Sequence, residues 1–339
     1  MSHNYRQKWR WPLLVAAAVF VFASNIANAE PRVVRIAKQF GISYIPLTIM
    51  QEKKLLEAEG KKLGLDLSTE WLRFTGGPPM NEALISGNLD FASGGVGPMT
   101  TIWARTKNNL KVKGITALNS MPLWLNSINP NVKTIKDFTE KDRIALPAVR
   151  VSMQAVILQM AAEKEFGKGQ EHKLDPWTVS LSHPDGLAQM LSGKSEITAH
   201  FTSAPFMYTE LQDKRVHRVL NSYDVFGGPH TFNVVWGTSK LYEGEPKIVQ
   251  AFLSALRIAI KDINDDPAAA AALWVKADKS KLTPAEAEKI IRDKDNTWTM
   301  TPQKVMVVAG YMARVGMVPV TPTSWKDLFI DAIHDLPGS

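Results

Sequence analysis

The sequence predicts an α/β protein of two lobes, each a mostly parallel sheet flanked by helices, with two strands crossing between them. Three observations carry this. A chain of 339 residues is longer than one hydrophobic core usually supports. Short β-branched or aromatic runs alternate regularly with helical patterns, the signature of βα units. Finally, two stretches about a hundred residues apart repeat the same order of elements. The composition, 45% hydrophobic and 22% charged, is that of an ordinary globular protein and excludes a disordered, fibrous or multi-span membrane chain.

The first lobe is expected over residues 30–118. VVRIAKQF from Val33 reads as a strand, and IPLTIMQEKKLLEAEG as one helix stopped by Gly60. LSTEWLRF is the next strand. PPMNEALISG is a helix with proline in its first turn and Gly87 at its end. LDFASGG, PMTTIWART and LKVKGITALN follow as strand, helix and strand.

The second lobe is expected over residues 119–232. LWLNSI, RIALPAV, WTVSLS, EITAHFT and HRVLNSY read as strands, separated by the helices SMQAVILQMAAEKEFG and DGLAQMLSGK and a helical region after Pro205. FNVVWGT returns the chain to the first lobe. Residues 233–339 are then mainly helical, through KIVQAFLSALRIAIKDI, DPAAAAALWVKA, TPAEAEKIIRD, TPQKVMVVAGYMARV and SWKDLFIDAI. Asp266-Pro267 and Thr283-Pro284 mark helix starts.

The internal repeat lies between ALISGNLDFASGGVGPM (Ala83–Met99) and QMLSGKSEITAHFTSAPF (Gln189–Phe206). Both run helix, Ser-Gly, strand, small-residue loop, then proline at a helix start. Gly87 to Pro98 spans eleven steps and Gly193 to Pro205 spans twelve. Each lobe would thus present a loop and a helix N-terminus at the carboxyl end of its sheet, where open α/β sheets bind ligands.

Residues 1–29 read as an export signal. Arg6, Lys8 and Arg10 precede the apolar run Leu13–Ala23, and Ala27-Asn28-Ala29 offers a cleavage site before Glu30. The run is shorter than the about 20 residues needed to span a bilayer. The chain carries 40 Lys+Arg and 33 Asp+Glu, a formal +7. Removing the three basic side chains of residues 1–29, which hold no acidic ones, leaves 37 against 33, or +4. No Lys/Arg run exceeds two residues, so a nucleic-acid partner is not expected. Without cysteine there can be no disulfide, thiol nucleophile, zinc ribbon or lipid-attachment site.

Two motifs are decoys. Gly193-Lys194-Ser195 resembles a phosphate loop, but Ala188 stands where the first glycine belongs and the tripeptide ends a helix. Gly94-Gly95-Val96-Gly97 has Thr100 in place of the third glycine of a dinucleotide fingerprint.

The remaining strand-to-helix loops suit an anion or polar group: Gly41-Ile42-Ser43-Tyr44, Gly76-Gly77-Pro78 and Gly95-Val96 in the first lobe. In the second, Arg150-Val151-Ser152 precedes a helix. Ser152 is a good N-cap, and Arg150 is either a forked grip for a sulfonate or carboxylate or a solvated surface residue. His200 and His230 stand at strand ends with Phe201, Thr202 and Thr231 beside them; a hydrogen-bonding or structural role suits them better than a metal, for want of further ligands nearby. No catalytic triad or paired-carboxylate spacing is present.

On GISYIPLTIMQEKKLLE, FTGGPPMNEALISGNLDFASGGVGP and LPAVRVSMQAVILQMAAEKEFG, the chain resembles the periplasmic substrate-binding proteins of ABC importers, of the nitrate, sulfonate and taurine type. The resemblance implies the type II periplasmic-binding fold, with ligand held between lobes that close on it. It places Gly41–Tyr44, Gly76–Pro78, Gly95, Val96, Asn119, Ser120, Arg150–Ser152, His200–Thr202, His230 and Thr231 around the cleft. It also implies a non-enzymatic monomer without cofactor or metal, acting in the periplasm with a small anionic solute and an inner-membrane permease as partners. A Trp often stands in sulfonate binders where this chain has His200-Phe201. Nitrate, carboxylate or pyrimidine binding and a sensor role are the alternatives. A thiamine-pyrimidine synthase of this fold depends on a cysteine-rich iron site that a chain without cysteine cannot supply.

Overall fold

A computed structural model describes Met1 and residues 30–339, so the expected export signal lies, Met1 apart, outside the described residues. The first block runs β1 (Arg32–Lys38), α1 (Ile45–Glu52), α2 (Leu55–Lys62), β2 (Leu67–Arg73), α3 (Gly77–Ile85), β3 (Ala92–Gly95), α4 (Val96–Thr106) and β4 (Lys113–Ala117). The second opens on β5 (Asn119–Ser120) and β6 (Trp124–Ser127). It continues with β7 (Ile144–Leu146), α5 (Met153–Phe166), β8 (Thr178–Ser180), α6 (His183–Ser192), β9 (Ala199–Thr202), α7 (Phe206–Glu210), β10 (His217–Asn221) and α8 (Ser222–Phe226). The chain returns through β11 (Asn233–Gly237) to α9 (Ser239–Tyr242), α10 (Pro246–Asp265), α11 (Pro267–Asp278) and α12 (Pro284–Ile291). It ends with β12 (Thr297–Trp298), α13 (Val305–Arg314) and α14 (Trp325–Leu328).

The second sheet has the order β10-β6-β9-β7-β8. In the first, β1 pairs with β2 in parallel, a parallel bridge from Ile36 to Phe91 brings in β3, and β11 lies between β3 and β4. With the strand that arrives from the other lobe set aside, the remaining four count 2-1-3-4 across each sheet, with the arriving strand between the third and the fourth in both, and α3-β3-α4 corresponds to α6-β9-α7, the two stretches related by the internal repeat. Each sheet is mostly parallel: four of its five strands run the same way and one runs against them. β11 runs antiparallel to both its neighbours, and so does β6. Each of these is the strand that arrives from the other lobe, so it enters its sheet from the opposite end.

The two crossing segments lie side by side. Ser120 bridges Thr231, Leu118 N–H donates to Asn233 O, and β12 pairs with β5 on the other edge. The helical C-terminal part packs on the first sheet: α10 buries Ile248, Phe252, Leu256, Ala259 and Ile263 at three- and four-residue spacing, and Phe252 stacks on Phe91 at 4.2 Å.

Two elements differ from expectation. The helix expected to end at Gly60 is broken earlier, at Lys53-Lys54, where Lys54 adopts φ 51°. Gly60 lies inside α2, and a Cβ there would meet Leu67 Cδ1 at 2.5 Å, so it serves close packing on β2. SWKDLFIDAI is α-helical only over Trp325–Leu328, because Phe329 turns extended to bridge Gly114, and a short 3-10 turn follows at Asp331–Ile333. No helix among the described residues is long and apolar enough to cross a membrane.

Candidate functional site

Four helices aim their N-termini at one cavity between the sheets. It is lined by Gly77, the first residue of α3, by Gly95 and Ser152, the N-caps of α4 and α5, and by His183, the first residue of α6. Local sequence sets each start. Ser152 Oγ accepts from Ala155 N–H and Ser182 Oγ from Asp185 N–H, while Pro78, Pro98 and Pro184 preset a helical turn and carry no N–H to satisfy. The caps of α3 and α4 are glycines without a capping side chain, which leaves first-turn N–H groups for another acceptor. Each N-terminus carries about half a positive charge.

The rest of the wall is Gln39, Phe40, Tyr44, Pro98, Pro147, Met153, Gln154, Ser203 and Phe232. None of the lining residues is Lys, Arg, Asp or Glu. The hydroxyl of Ser203 is buried and has no hydrogen-bond partner among the described residues. Tyr44 Oη accepts from Asn233 Nδ2 at 2.9 Å, and burial pushes its phenol far above the ordinary range. The free space is only about 20 Å³, room for about one water. The lobes meet backbone to backbone around it. A Cβ on Gly41 would sit 2.7 Å from Ala204 O, on Gly76 3.1 Å from Pro147 O, and on Gly95 2.6 Å from Met153 Cβ. Gly41, at φ 114°, also needs glycine for its backbone.

Of the residues expected around the cleft, the structure brings Tyr44, Gly77, Gly95 and Ser152 to the cavity wall. Gly41 and Gly76 form the lobe contacts just described. Val96 and Ile42 are buried behind the wall, Pro78 is half-buried in α3, and Ser43 offers its carbonyl to Asn119 Nδ2 at 2.7 Å. Asn119 Oδ1 in turn accepts from Asn233 N–H, so Asn119 belongs to the crossing segments. Ser120, His230 and Thr231 do as well. Ser120 Oγ donates to His230 O, His230 bonds Ser222 Oγ and Thr231 O and stacks on Phe226, and Thr231 Oγ accepts from Gln303 N–H. Burial pushes the His230 imidazole down to about 4.

Arg150 does not line the cavity. It is exposed at φ 66°, Val151 is half-buried beside it, and its guanidinium forms no ion pair among the described residues. Phe201 points into the core from β9. Its neighbours His200 and Thr202 support a residue missed in the sequence: His183 Nδ1 lies 3.1 Å from both His200 Nε2 and Thr202 Oγ1. His200 Nδ1 continues to Glu210 Oε1 at 2.6 Å, and Asn126 Nδ2 donates to the other carboxylate oxygen. The sequence signal for His183 was Ser182-His183-Pro184-Asp185, a cap whose first helical residue must face the strand end. Gln39 and Gln154 left no comparable mark, and Ser203 shows in the sequence only as a polar neighbour of His200 and Thr202. Among the described residues, no group of three or more His, Asp or Glu is placed to hold a metal ion.

No family model matches the chain, and no curated protein matches it by sequence. Solved structures do. The alkanesulfonate-binding protein SsuA of Xanthomonas axonopodis pv. citri, bound to MOPS, superposes with TM-score 0.67 at 17% identity, covering 86% of this chain and 96% of that one. The periplasmic aliphatic sulphonate binding protein SsuA of Escherichia coli gives 0.63 at 18%, covering 88% and 99%. The periplasmic nitrate-binding protein NrtA of Synechocystis PCC 6803 gives 0.66 at 13%, covering 86% and 83%. The chain has the two-lobed α/β fold of periplasmic binding proteins.

Proposed function

We propose that this chain is the substrate-binding component of an ABC importer, and that it captures a small anionic organic solute such as a sulfonate or a taurine-like compound. The observation that carries this reading is the convergence of four helix N-termini on a cavity whose walls hold no fixed charge. Four positive dipole ends with no carboxylate among the residues that line the cavity favour negative charge, Asp185 in the first turn of α6 being bonded to Ser182 Oγ. Phe40, Phe232, Tyr44 and Met153 supply apolar wall for an organic body. The anion would be held by N–H and hydroxyl donors, Ser203 Oγ among them, without an arginine.

A free space of about 20 Å³ admits no such solute while the lobes are shut, so entry requires them to part. The crossing segments 118–121 and 230–233 are where that motion would hinge, and closure would re-form the Gly41, Gly76 and Gly95 contacts around the ligand. In this reading residues 1–29 are removed on export, the mature chain works in the periplasm as a monomer without catalysis, and a membrane permease receives the solute. A thermal-shift screen of sulfonates, carboxylates, nitrate and pyrimidines tests it. Saturation at a hundred times Kd stabilises by about 2.7 kcal/mol, a plainly visible rise in Tm. A shift with pyrimidines and none with any anion would refute the anionic solute.

A further inference from the structure

The cavity contains one group able to become cationic, and it is wired to a buried carboxylate. His183 stands at the cavity wall with Gln154 Nε2 3.3 Å from its Nε2. Behind it, His183 Nδ1 faces His200 Nε2 at 3.1 Å and His200 Nδ1 faces Glu210 Oε1 at 2.6 Å. His200 and Glu210 are completely buried. α6 can lie this close to the His200 ring only because residue 186 is glycine: a Cβ there would sit 2.7 Å from Nε2.

The groups facing His183 come from every element around it. His200 and Thr202 stand on β9, Glu210 on α7 behind His200, Gln154 on α5, and the Phe206 ring lies at 5.5 Å. Asp185 lies in the first turn of its own helix, bonded to Ser182 Oγ, and Tyr44 is the titratable group on the facing lobe. No lysine or arginine lines the cavity. The unpartnered, buried hydroxyl of Ser203 marks the same cavity as a place where a polar partner is missing.

We infer that His183 takes up a proton when an anion enters the cavity, and that His200 and Glu210 accommodate the resulting charge. The inference rests on the anion-binding reading above. Every step is a proton movement. A proton from solvent adds to His183 Nε2, the hydrogen on His183 Nδ1 passes to His200 Nε2, and His200 keeps its Nδ1–H directed at the Glu210 carboxylate. The cavity gains an N–H donor where it had an acceptor, and the positive charge comes to rest beside a buried negative one. Gln154 can turn its amide oxygen toward the new donor. In the free protein, burial holds His183 well below the ordinary imidazole value, so at neutral pH the proton arrives with the anion. A sulfonate keeps its charge throughout this range, so any pH dependence belongs to the protein.

The test is calorimetry of the whole mature chain with 1-butanesulfonate, benzoate and nitrate from pH 8 to pH 6, each in two buffers of different ionisation enthalpy. The expected result is affinity that tightens about tenfold per pH unit of acidification, with close to one proton taken up per anion bound. His183→Gln, which keeps a hydrogen-bonding side chain but cannot titrate, is expected to bind more weakly and with a flat pH profile. The proton count on the unaltered protein stands whether or not that variant folds. Tight binding that is equal at pH 6 and pH 8 with no proton uptake overturns the inference and leaves the anion reading intact. No binding of any of the three anions across the range overturns both.

Discussion

Two buried imidazoles, His183 and His230, weaken the folded protein toward acid. His230 is pushed down to about 4 by burial, and His183 is lowered in the same direction. An unfolded chain binds protons at these positions near pH 6.5 and the folded one does not, so stability is level above about 6.5 and falls as pH drops toward 4. His230 alone is expected to cost about 2 kcal/mol at pH 5 relative to pH 7.5, read from urea unfolding at the two values. Equal unfolding free energies would contradict the buried, neutral assignment. Arg150 makes the opposite lesson. A lone cation in a strand-to-helix loop reads either as an anion grip or as a solvated surface residue, and here it is exposed with φ 66°, which disfavours a side chain by about 1 kcal/mol. Arg150→Gly is therefore expected to raise stability slightly and leave sulfonate affinity within about threefold. A hundredfold loss would return Arg150 to the site. Residue type and loop position were legible here. Side-chain direction and burial were not, because they depend on which strand lies next door.

At the level of elements, helix starts were the best-marked features, since proline, serine and glycine act locally. Thr283 forms its capping box with Glu286, and Gly193 takes the left-handed cap of α6, the bland reading of Gly-Lys-Ser. The errors are equally physical. A helix can break at two lysines without any proline, and a glycine can be needed for contact instead of for a stop. The loop glycines carry the same ambiguity. Their sequence suggests room for a ligand, and in the structure Gly41, Gly76 and Gly95 are room for the other lobe. Gly95→Ala tests this directly, because its Cβ would enter Met153 of α5. The variant is expected to melt close to the unaltered protein, to show a larger radius of gyration in solution scattering, and to bind sulfonate about tenfold or more weakly. Unchanged affinity would mean that closure at this contact is not part of binding.

For the molecule as a whole, the repeated Ser-Gly, strand, small-loop, proline order foretold two similar lobes, and the sheets do share one strand order once the arriving strand is set aside. The antiparallel crossing strands were not foretold, because strand direction follows from the path between lobes, which no local pattern records. The cavity itself was half legible. Tyr44, Gly77, Gly95 and Ser152 were found through loop chemistry, while Gln154, Ser203 and the His183–His200–Glu210 chain emerge only when both lobes are folded and brought together. What unites these scales is one claim, that four helix N-termini in an uncharged pocket select a small anion. It is tested most directly by titrating the protein at pH 6 with 1-butanesulfonate and with butane-1-sulfonamide, which has nearly the same shape and no charge. The sulfonate is expected to bind at least about a hundredfold more tightly, a difference of about 2.7 kcal/mol. Equal affinities, or preference for the neutral amide, would contradict it.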